Sequence, residues 1–156
     1  MPPGLAFVSF SKRAWEAYSN SKMPKYYFDV AAYKKHLETG QSPFTPALSI
    51  MFALDIVLDT MLEEGMASVF RRHDCIGSLV RRGIKNLGLS LLADEQFASN
   101  TVTAVTVPSG IEASNLINIM RKDQNIVLAG GQQSLSGKIF RIGPMGYCSS
   151  TEVEEV

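Results

Sequence analysis

This 156-residue sequence has two cysteines, no net charge and no long apolar run. Two cysteines, Cys75 and Cys148, are too few for a disulfide framework, so a reducing, cytoplasmic setting is expected. Fifteen basic and fifteen acidic residues leave no net charge, which removes any general attraction to nucleic acid or to an anionic membrane. No uninterrupted apolar run approaches the roughly 20 residues that span a bilayer. We therefore expect neither nucleic acid nor a membrane as a partner.

What the sequence does contain is an ordinary globular composition. Its hydrophobic residues make up 46% of the chain, which is too many for intrinsic disorder. A chain of this length can bury roughly 70% of its unfolded surface, enough for one domain or for one domain with part of another. The turn Met1-Pro2-Pro3-Gly4 precedes an apolar run, Leu5–Phe10, which predicts a strand buried on both faces. The nearby sequence offers no obvious partner strand, so we expect its sheet upstream of the chain.

A long apolar helix is predicted from Pro46 to Glu63. Thr45 is its expected N-cap and Pro46 its first helical residue, a combination that is typical of helix starts. Its polar side chains form one narrow stripe, made of Asp55, Asp59 and Glu63. The rest of its circumference is apolar, so a small domain cannot bury it alone. We therefore expect this helix to lie in a domain or subunit interface.

The remainder of the sequence predicts a small sheet covered by helices. A second helix is expected from about Met66 to Leu87, with Gly88 at the position where a left-handed residue ends a helix. A third is expected from Glu112 to Lys122, and Ser149–Glu152 forms a capping-box pattern at the start of a fourth. Short strands are predicted at 89–92, 101–107, 126–129 and 138–142. The predicted fold class is therefore α/β, with an α+β arrangement in the small domain.

Several common catalytic patterns are missing from the sequence. The segment Gly131–Lys138 has five residues between its glycines and precedes a predicted strand, so we reject a phosphate-binding P-loop. No pair of histidines or cysteines has metal-ligand spacing, so no metal site is expected. No G-x-S-x-G elbow supports a serine hydrolase. Cys75 is expected to be buried within a helix, and the arginine pairs at 71–72 and 81–82 are expected on a solvated helix face.

Arg141 lies within a predicted strand, Lys138–Ile142, whose other members are mostly apolar. An arginine cannot deprotonate, so at such a position it needs an anionic partner. Its planar guanidinium matches a carboxylate through two parallel hydrogen bonds. That carboxylate belongs either to a substrate or to an Asp or Glu of the protein, and the residues alone do not decide between the two.

Four segments together resemble one enzyme family. They are Met1–Ser9, Pro43–Pro46 before the long helix, Ala129–Gly131, and Gly137–Gly143 followed by Met145 and Gly146. In this order and spacing the sequence resembles the class V, fold-type I pyridoxal phosphate (PLP) enzymes, in the branch of the alanine–glyoxylate and serine–pyruvate aminotransferases. That branch includes proteins named soluble hydrogenase small subunits. The resemblance covers essentially the whole chain.

The resemblance implies an active site that this chain supplies only in part. In the family, the lysine that forms the Schiff base with PLP precedes the Pro-Pro-Gly segment. It is therefore expected upstream of this chain, no catalytic residue is assigned here, and Lys138 is not that lysine. Arg141 matches the arginine that binds the substrate α-carboxylate. Thr45 matches a residue that contacts the PLP phosphate of the neighbouring subunit, with Gln41 and Ser42 beside it.

The same resemblance implies the C-terminal portion of a homodimeric aminotransferase. Residues 1–45 would end the large PLP-binding domain, and residues 46–156 would form the interdomain helix and the small C-terminal domain. The intact enzyme would move an amino group from alanine or serine to an oxo acid such as glyoxylate or pyruvate, and the chain alone is expected to be inactive. Two alternatives stay open: another class V reaction (a lyase or desulfurase), and a non-catalytic α/β dimerisation module.

Overall fold

The computed structural model describes residues 2–154. By their internal contacts the residues form two compact units, Met1–Glu63 and Glu64–Val156. The first unit is helical, and the second holds the sheet. This division falls later than the boundary predicted between residues 45 and 46, which concerns the domains of an intact enzyme and stays a prediction. No helix within 2–154 is both long enough and apolar enough to cross a membrane.

The first unit is built from α1 (Lys12–Asn20), α2 (Val30–Leu37) and most of α3 (Leu48–Glu64). Side-chain caps begin the first two helices. Ser11 Oγ accepts a hydrogen bond from the amide of Ala14 at 3.2 Å, and Asp29 Oδ1 accepts one from the amide of Ala31 at 3.1 Å. α2 is not among the predicted helices, although an aspartate before an alanine-rich run is a usable start signal.

Tyr18 and Asp29 join α1 to the start of α2. The hydroxyl of Tyr18 donates to Asp29 Oδ1 at 2.5 Å, and the ammonium of Lys25 lies 4.4 Å from the centroid of the Tyr18 ring. This hydrogen bond raises the pKa of Tyr18 and lowers the pKa of Asp29, because it requires a protonated phenol and an ionised carboxyl. Neither helix has a buried residue, so a polar contact rather than an apolar core links them.

The segment Leu5–Phe10 forms no strand with residues 2–154, and its predicted pairing with a sheet upstream stays a prediction. In the structure this segment is irregular and pairs with no strand among residues 2–154, and Phe7 and Val8 are 79% and 74% exposed. A strand depends on hydrogen bonds to neighbouring strands, and helices are the only regular elements in the described part of the first unit. An apolar run indicates a need for burial but cannot supply the partner strand.

α3 begins two residues later than predicted. The amides of Ile50 and Met51 both donate to the Ala47 carbonyl at 3.0 Å, so the first helical turn closes on Ala47. Thr45 is therefore not the N-cap, and Pro46 precedes the helix. Six large apolar side chains of α3 are exposed within the described chain: Leu48, Met51, Phe52, Ile56, Leu58 and Leu62. The helix thus has the apolar surface that the sequence predicts, and its place in an interface stays a prediction.

The second unit contains α4 (Met66–Asn86), which ends as the sequence predicts. Gly88 has a φ of 75°, and its amide donates to the Lys85 carbonyl at 2.9 Å. The amide of Leu89 donates to the Ile84 carbonyl at 3.1 Å. These two bonds form a Schellman motif, in which a left-handed glycine lets the chain turn back and satisfy the last helical carbonyls.

A three-stranded antiparallel sheet follows α4, in the order β1-β3-β2. Its strands are β1 (Thr103–Thr106), β2 (Ala129–Gly130) and β3 (Ile139–Ile142). The strands predicted at 101–107 and 138–142 are confirmed. The one predicted at 89–92 is reduced to a single bridge between Leu91 and Val105, and the one at 126–129 begins at its last residue. The remaining helices of this unit are α5 (Ala113–Asp123) and α6 (Ser150–Glu154).

One face of the sheet packs against α4 and α5. Val80 and Ile84 of α4 meet Val105 of β1 and Phe140 of β3, and all four are buried. Partly buried side chains of α5 pack against the same cluster: Leu116, Ile117 and Met120. The predicted arrangement of a small sheet covered by helices is therefore confirmed. Side chains alternate along a strand, so Arg141, next to Phe140, points to the other face.

Candidate active site

Arg141 occupies the middle strand of the sheet, on the face opposite to the apolar core. The register of the sheet pairs it with Ala104 of β1 on one side and with Ala129 of β2 on the other. Alanine is small, so neither cross-strand neighbour crowds the long arginine side chain. Arg141 is half-buried, which lowers the effective dielectric around its charge while leaving it accessible.

One nitrogen of the Arg141 guanidinium is hydrogen-bonded within the described chain. Nε donates to the Gly130 carbonyl at 3.0 Å, while Nη1 and Nη2 have no partner among residues 2–154. No carboxylate oxygen of those residues lies within 4.0 Å of Arg141, so the internal Asp or Glu that the sequence left open is not found there. The two terminal nitrogens remain available to an anionic ligand.

Gly131 sets the path of the chain beside Gly130. Its amide donates to the Ile139 carbonyl at 3.1 Å. A Cβ at position 131 would lie 2.0 Å from the carbonyl oxygen of Leu135 and 2.9 Å from Cγ1 of Ile139. Glycine is therefore needed for the two backbone segments to approach this closely. The loop continues through a 3-10 turn, Gln133–Leu135, into a strand, as predicted, and not into the helix that a P-loop needs.

The other predicted site residues surround a shallow, open depression in the first unit, lined by residues 40–46. Gln41, Ser42 and Thr45 are all exposed there. The hydroxyl of Ser42 donates to the Phe44 carbonyl at 2.6 Å, so its proton is already engaged. The side chains of Gln41 and Thr45 make no hydrogen bond within residues 2–154, which leaves their donors available.

Aromatic rings pack around Phe44, in the middle of this loop. Its ring centroid lies 4.8 Å from that of Tyr27, 5.4 Å from that of Tyr26 and 6.3 Å from that of Tyr33. Tilted and edge contacts of this kind stabilise beyond the apolar area that they bury. Desolvation in the cluster raises the pKa of Tyr33, and neighbouring Tyr27 adds to the shift. The cluster therefore fixes the middle of the loop that carries the exposed donors.

The donors of this loop fit one part of PLP. A phosphate accepts hydrogen bonds from hydroxyl and amide groups, and Thr45 and Gln41 supply one of each. Ser42 fits less well, because donating to a phosphate would break its bond to the Phe44 carbonyl. No lysine lines the depression, so the loop offers contacts to a phosphate rather than a point of attachment. The roles of these three residues in the first unit, and of Arg141 in the second, stay predictions.

A contact that no sequence pattern indicates holds the turn after β3. Arg72 donates through Nε and Nη2 to the two carboxylate oxygens of Glu64, at 2.6 and 2.8 Å. Its Nη1 donates to the Gly146 carbonyl at 2.7 Å, and its Cζ lies 5.5 Å from the centroid of the Tyr147 ring. Arg72 and Gly146 are 74 positions apart, so local spacing cannot reveal their contact. The expected solvated role of Arg72 is therefore wrong.

Two further expectations for α4 need correction. Arg81 is engaged rather than merely solvated, since its Nη1 donates to the Ser99 carbonyl at 3.1 Å. Cys75 is exposed and not buried, because a helix turns by about 100° between Cys75 and the buried Ile76. Among residues 2–154 no three His, Cys, Asp or Glu side chains are grouped so that they could hold a metal ion.

Similarity to known proteins extends over nearly the whole chain, although no family model matches it. A soluble hydrogenase 42 kDa subunit of Anabaena cylindrica is 44% identical over 153 residues, which cover 98% of this chain and 40% of that protein. A serine–glyoxylate aminotransferase of Arabidopsis thaliana is 36% identical over 155 residues, which cover 98% of this chain and 39% of that protein. The chain thus spans about two fifths of the length of these curated relatives.

A solved structure has the same fold. The crystal structure of an alanine–glyoxylate aminotransferase from Nostoc sp. matches this chain with a TM-score of 0.88 and 24% identity. The match covers 95% of this chain and 40% of that one. At this level of identity the likeness establishes the arrangement of helices and strands alone.

Proposed function

Because this chain belongs to the class V aminotransferase family, in which it corresponds to a C-terminal portion, we propose that it is the substrate-orienting part of a PLP-dependent aminotransferase. The observation that carries this proposal is Arg141, whose Nε is held by the Gly130 carbonyl while its two terminal nitrogens have no partner among residues 2–154. The intact enzyme moves an amino group from alanine or serine to an oxo acid such as glyoxylate or pyruvate. The name of the Arabidopsis relative contains two of these substrates, serine and glyoxylate.

Arg141 binds the α-carboxylate that amino acids and 2-oxo acids share. Two parallel N–H···O bonds from a planar guanidinium fix both the position and the rotation of a carboxylate. With the carboxylate fixed, the α-carbon is held at a defined place relative to the cofactor, which lowers the entropic cost of reaching the reactive geometry.

PLP, when bound, supplies the electron sink for amino-group transfer. The lysine that holds it belongs to the part of the enzyme that this chain does not include. The Thr45 hydroxyl and the Gln41 amide donate to the cofactor phosphate of the neighbouring subunit, and Ser42 keeps the loop between them in shape through its bond to Phe44. The exposed apolar surface of α3 is covered in the homodimer, and the free Cys75 and Cys148 suit a reducing cytoplasm.

The proposal is tested by comparing the chain with the complete enzyme, meaning this chain joined to the PLP-binding portion that its relatives carry. Each is mixed with PLP and reduced with borohydride, and the labelled lysines are mapped by mass spectrometry. We expect the complete enzyme to be labelled on a lysine outside this chain and to convert alanine or serine with glyoxylate. The chain alone should acquire no specific label.

Two outcomes would contradict the proposal. A stoichiometric label on Lys138, or on another lysine of this chain, would place the reactive centre within residues 1–156. A complete protein that dimerises through α3 but neither binds PLP nor transfers an amino group would instead be a dimerisation module.

A further inference from the structure

The hydrogen bond from Nε of Arg141 to the Gly130 carbonyl restricts how a carboxylate can bind to Arg141. A guanidinium can pair with a carboxylate through its two terminal nitrogens, or through Nε and one terminal nitrogen. In this structure Nε already donates to the Gly130 carbonyl at 3.0 Å. The end-on approach, through Nη1 and Nη2, is the one that keeps this bond and adds two more.

The carbonyl that anchors Arg141 belongs to a peptide group that is fixed at both of its polar atoms. Its oxygen, from Gly130, accepts from Nε of Arg141, and its N–H, from Gly131, donates to the Ile139 carbonyl at 3.1 Å. Because a peptide group is planar, rotating it would weaken both bonds together. The pairing of β2 with β3 therefore also sets the orientation of the guanidinium.

This peptide group can lie close to Leu135 and Ile139 because residue 131 is a glycine and has no side chain. A Cβ there would lie 2.0 Å from the Leu135 carbonyl oxygen, which is backbone and cannot swing aside as a side chain could. It would also lie 2.9 Å from Cγ1 of Ile139, the residue that accepts the Gly131 amide. A side chain at 131 therefore requires this peptide group or the Leu135 backbone to shift, and a shift of the peptide group carries the Gly130 carbonyl with it.

We propose that Gly131 is a positioning residue for substrate binding. Its bare backbone lets the peptide group between residues 130 and 131 hold Nε of Arg141, so that the substrate carboxylate is bound end-on by the two terminal nitrogens. This inference rests on the proposed function, in which Arg141 binds the carboxylate. Gly131 itself contacts no substrate and acts through the Gly130 carbonyl.

The hydrogen bond from Arg141 Nε to the Gly130 carbonyl is tested first, by NMR on the 156-residue chain, through the exchange rate of the Nε proton of Arg141. Arg82 is the internal reference, since it is exposed and its side chain has no hydrogen bond within residues 2–154. We expect slower exchange at Arg141 than at Arg82, and loss of that protection in Gly131→Ala. If Gly131→Ala does not fold, the unsubstituted chain still decides, because equal exchange at Arg141 and Arg82 would overturn the proposal.

The consequence for substrate is tested by kinetics on the complete enzyme. Gly131→Ala should raise the KM for glyoxylate about 10- to 100-fold, the size of effect expected from a misplaced binding group, with a smaller change in kcat. The slow amination of acetaldehyde, which has no carboxylate, should be unchanged when it is followed as a single half-reaction of enzyme that already carries the amino group, so that no amino-acid donor has to bind. Gly77→Ala is the matched control, because its Cβ would lie 3.0 Å from the Cα of Asn100, away from Arg141. It should leave the glyoxylate KM as it is.

Failure of this inference and failure of the proposed function give different results. If Gly131→Ala changes glyoxylate and acetaldehyde kinetics equally, or changes neither, Gly131 does not position the carboxylate site. If Arg141→Gln leaves the glyoxylate KM unchanged, the proposed role of Arg141 is wrong whatever Gly131 does.

Discussion

The guanidinium of Arg72 and the carboxylate of Glu64 meet as two parallel forks, with Nε 2.6 Å from Oε1 and Nη2 2.8 Å from Oε2. Both side chains are largely shielded from water, with 24% and 22% of their surfaces exposed. This pairing lowers the pKa of Glu64 and raises the pKa of Arg72. Since Nη1 of Arg72 also holds the Gly146 carbonyl, the ion pair supports the turn that follows the strand of Arg141.

The second unit should therefore lose stability in acid through Glu64. The pKa of this carboxyl is lowered by folding, so its contribution is fully present above the ordinary value of 4.5 and disappears as the pH falls through the folded value. We expect Glu64→Gln to weaken the pH dependence of the Tm below about pH 5. Glu63→Gln is the control, because Glu63 is exposed and has no ion pair within residues 2–154. Identical profiles for wild type and Glu64→Gln would refute the prediction.

The link between α1 and α2 should depend on pH at both ends of the scale. Folding lowers the pKa of Asp29, so the stability that its carboxylate contributes is lost as the pH falls below about 3.8. Folding raises the pKa of Tyr18, so the stability that its phenol contributes is lost as the pH rises above about 10. Tyr18→Phe should remove the hydrogen bond to Asp29 and so weaken the contact between α1 and α2 at neutral pH. Asp29→Asn should keep the cap of α2, since asparagine caps as well as aspartate, but should remove the acid transition.

NMR chemical shifts of the α1 and α2 backbone, followed against pH, measure this directly. Tyr26→Phe is the matched control, because Tyr26 is 81% exposed and its hydroxyl has no hydrogen-bond partner within residues 2–154. If Tyr18→Phe and Tyr26→Phe give the same shifts at neutral pH, the hydrogen bond to Asp29 does not hold the helices together.

The features that the sequence predicts correctly are those encoded by a few neighbouring residues. Gly88 ends α4 because its left-handed conformation is local. Ser149 and Glu152 form the predicted capping box: the Ser149 amide donates to Glu152 Oε2 at 2.7 Å, and the Glu152 amide donates to Ser149 Oγ at 3.3 Å. The placement of Arg141 in a strand is also predicted correctly from its apolar neighbours, while its role stays a prediction.

The features that the sequence misses depend on residues far apart in the chain. Leu5–Phe10 has the pattern of a buried strand but pairs with no strand of residues 2–154, so its expected partners upstream stay a prediction. Gly131 is part of an ordinary glycine-rich loop until the Leu135 carbonyl and Ile139 are seen against it. The same holds for Arg72 and Gly146, whose contact follows from the packing of a turn against a helix.

Thr103 offers a test of the core that is independent of function. Its side chain is buried, with 5% of the residue exposed, and its hydroxyl has no hydrogen-bond partner within the described chain. Thr103→Val keeps the shape and removes a desolvated polar atom, so the free energy of unfolding should rise by about 1 kcal/mol. Denaturant unfolding measures this, with the exposed Thr106→Val as the control that should change little. A clear loss of stability in Thr103→Val would mean that the hydroxyl has a partner.

Substitutions at Arg141 in the complete enzyme test whether its guanidinium pairs with the substrate carboxylate. A hydrogen bond to a charged group contributes about 1.5–3 kcal/mol, so Arg141→Gln should lower kcat/KM for glyoxylate about 10- to 100-fold or more. Arg141→Lys should recover part of that loss, because a lysine keeps the charge but has neither the planar fork nor the Nε that Gly130 holds. PLP content should be equal in all three enzymes, since the predicted phosphate contacts come from residues 41–45. Arg82→Gln, an exposed charge on α4, is the control for net charge and should match the wild type. If the Arg141→Lys and Arg141→Gln enzymes are equally impaired, the planar guanidinium and not the charge alone orients the substrate. If both enzymes match the wild type, the carboxylate binds elsewhere.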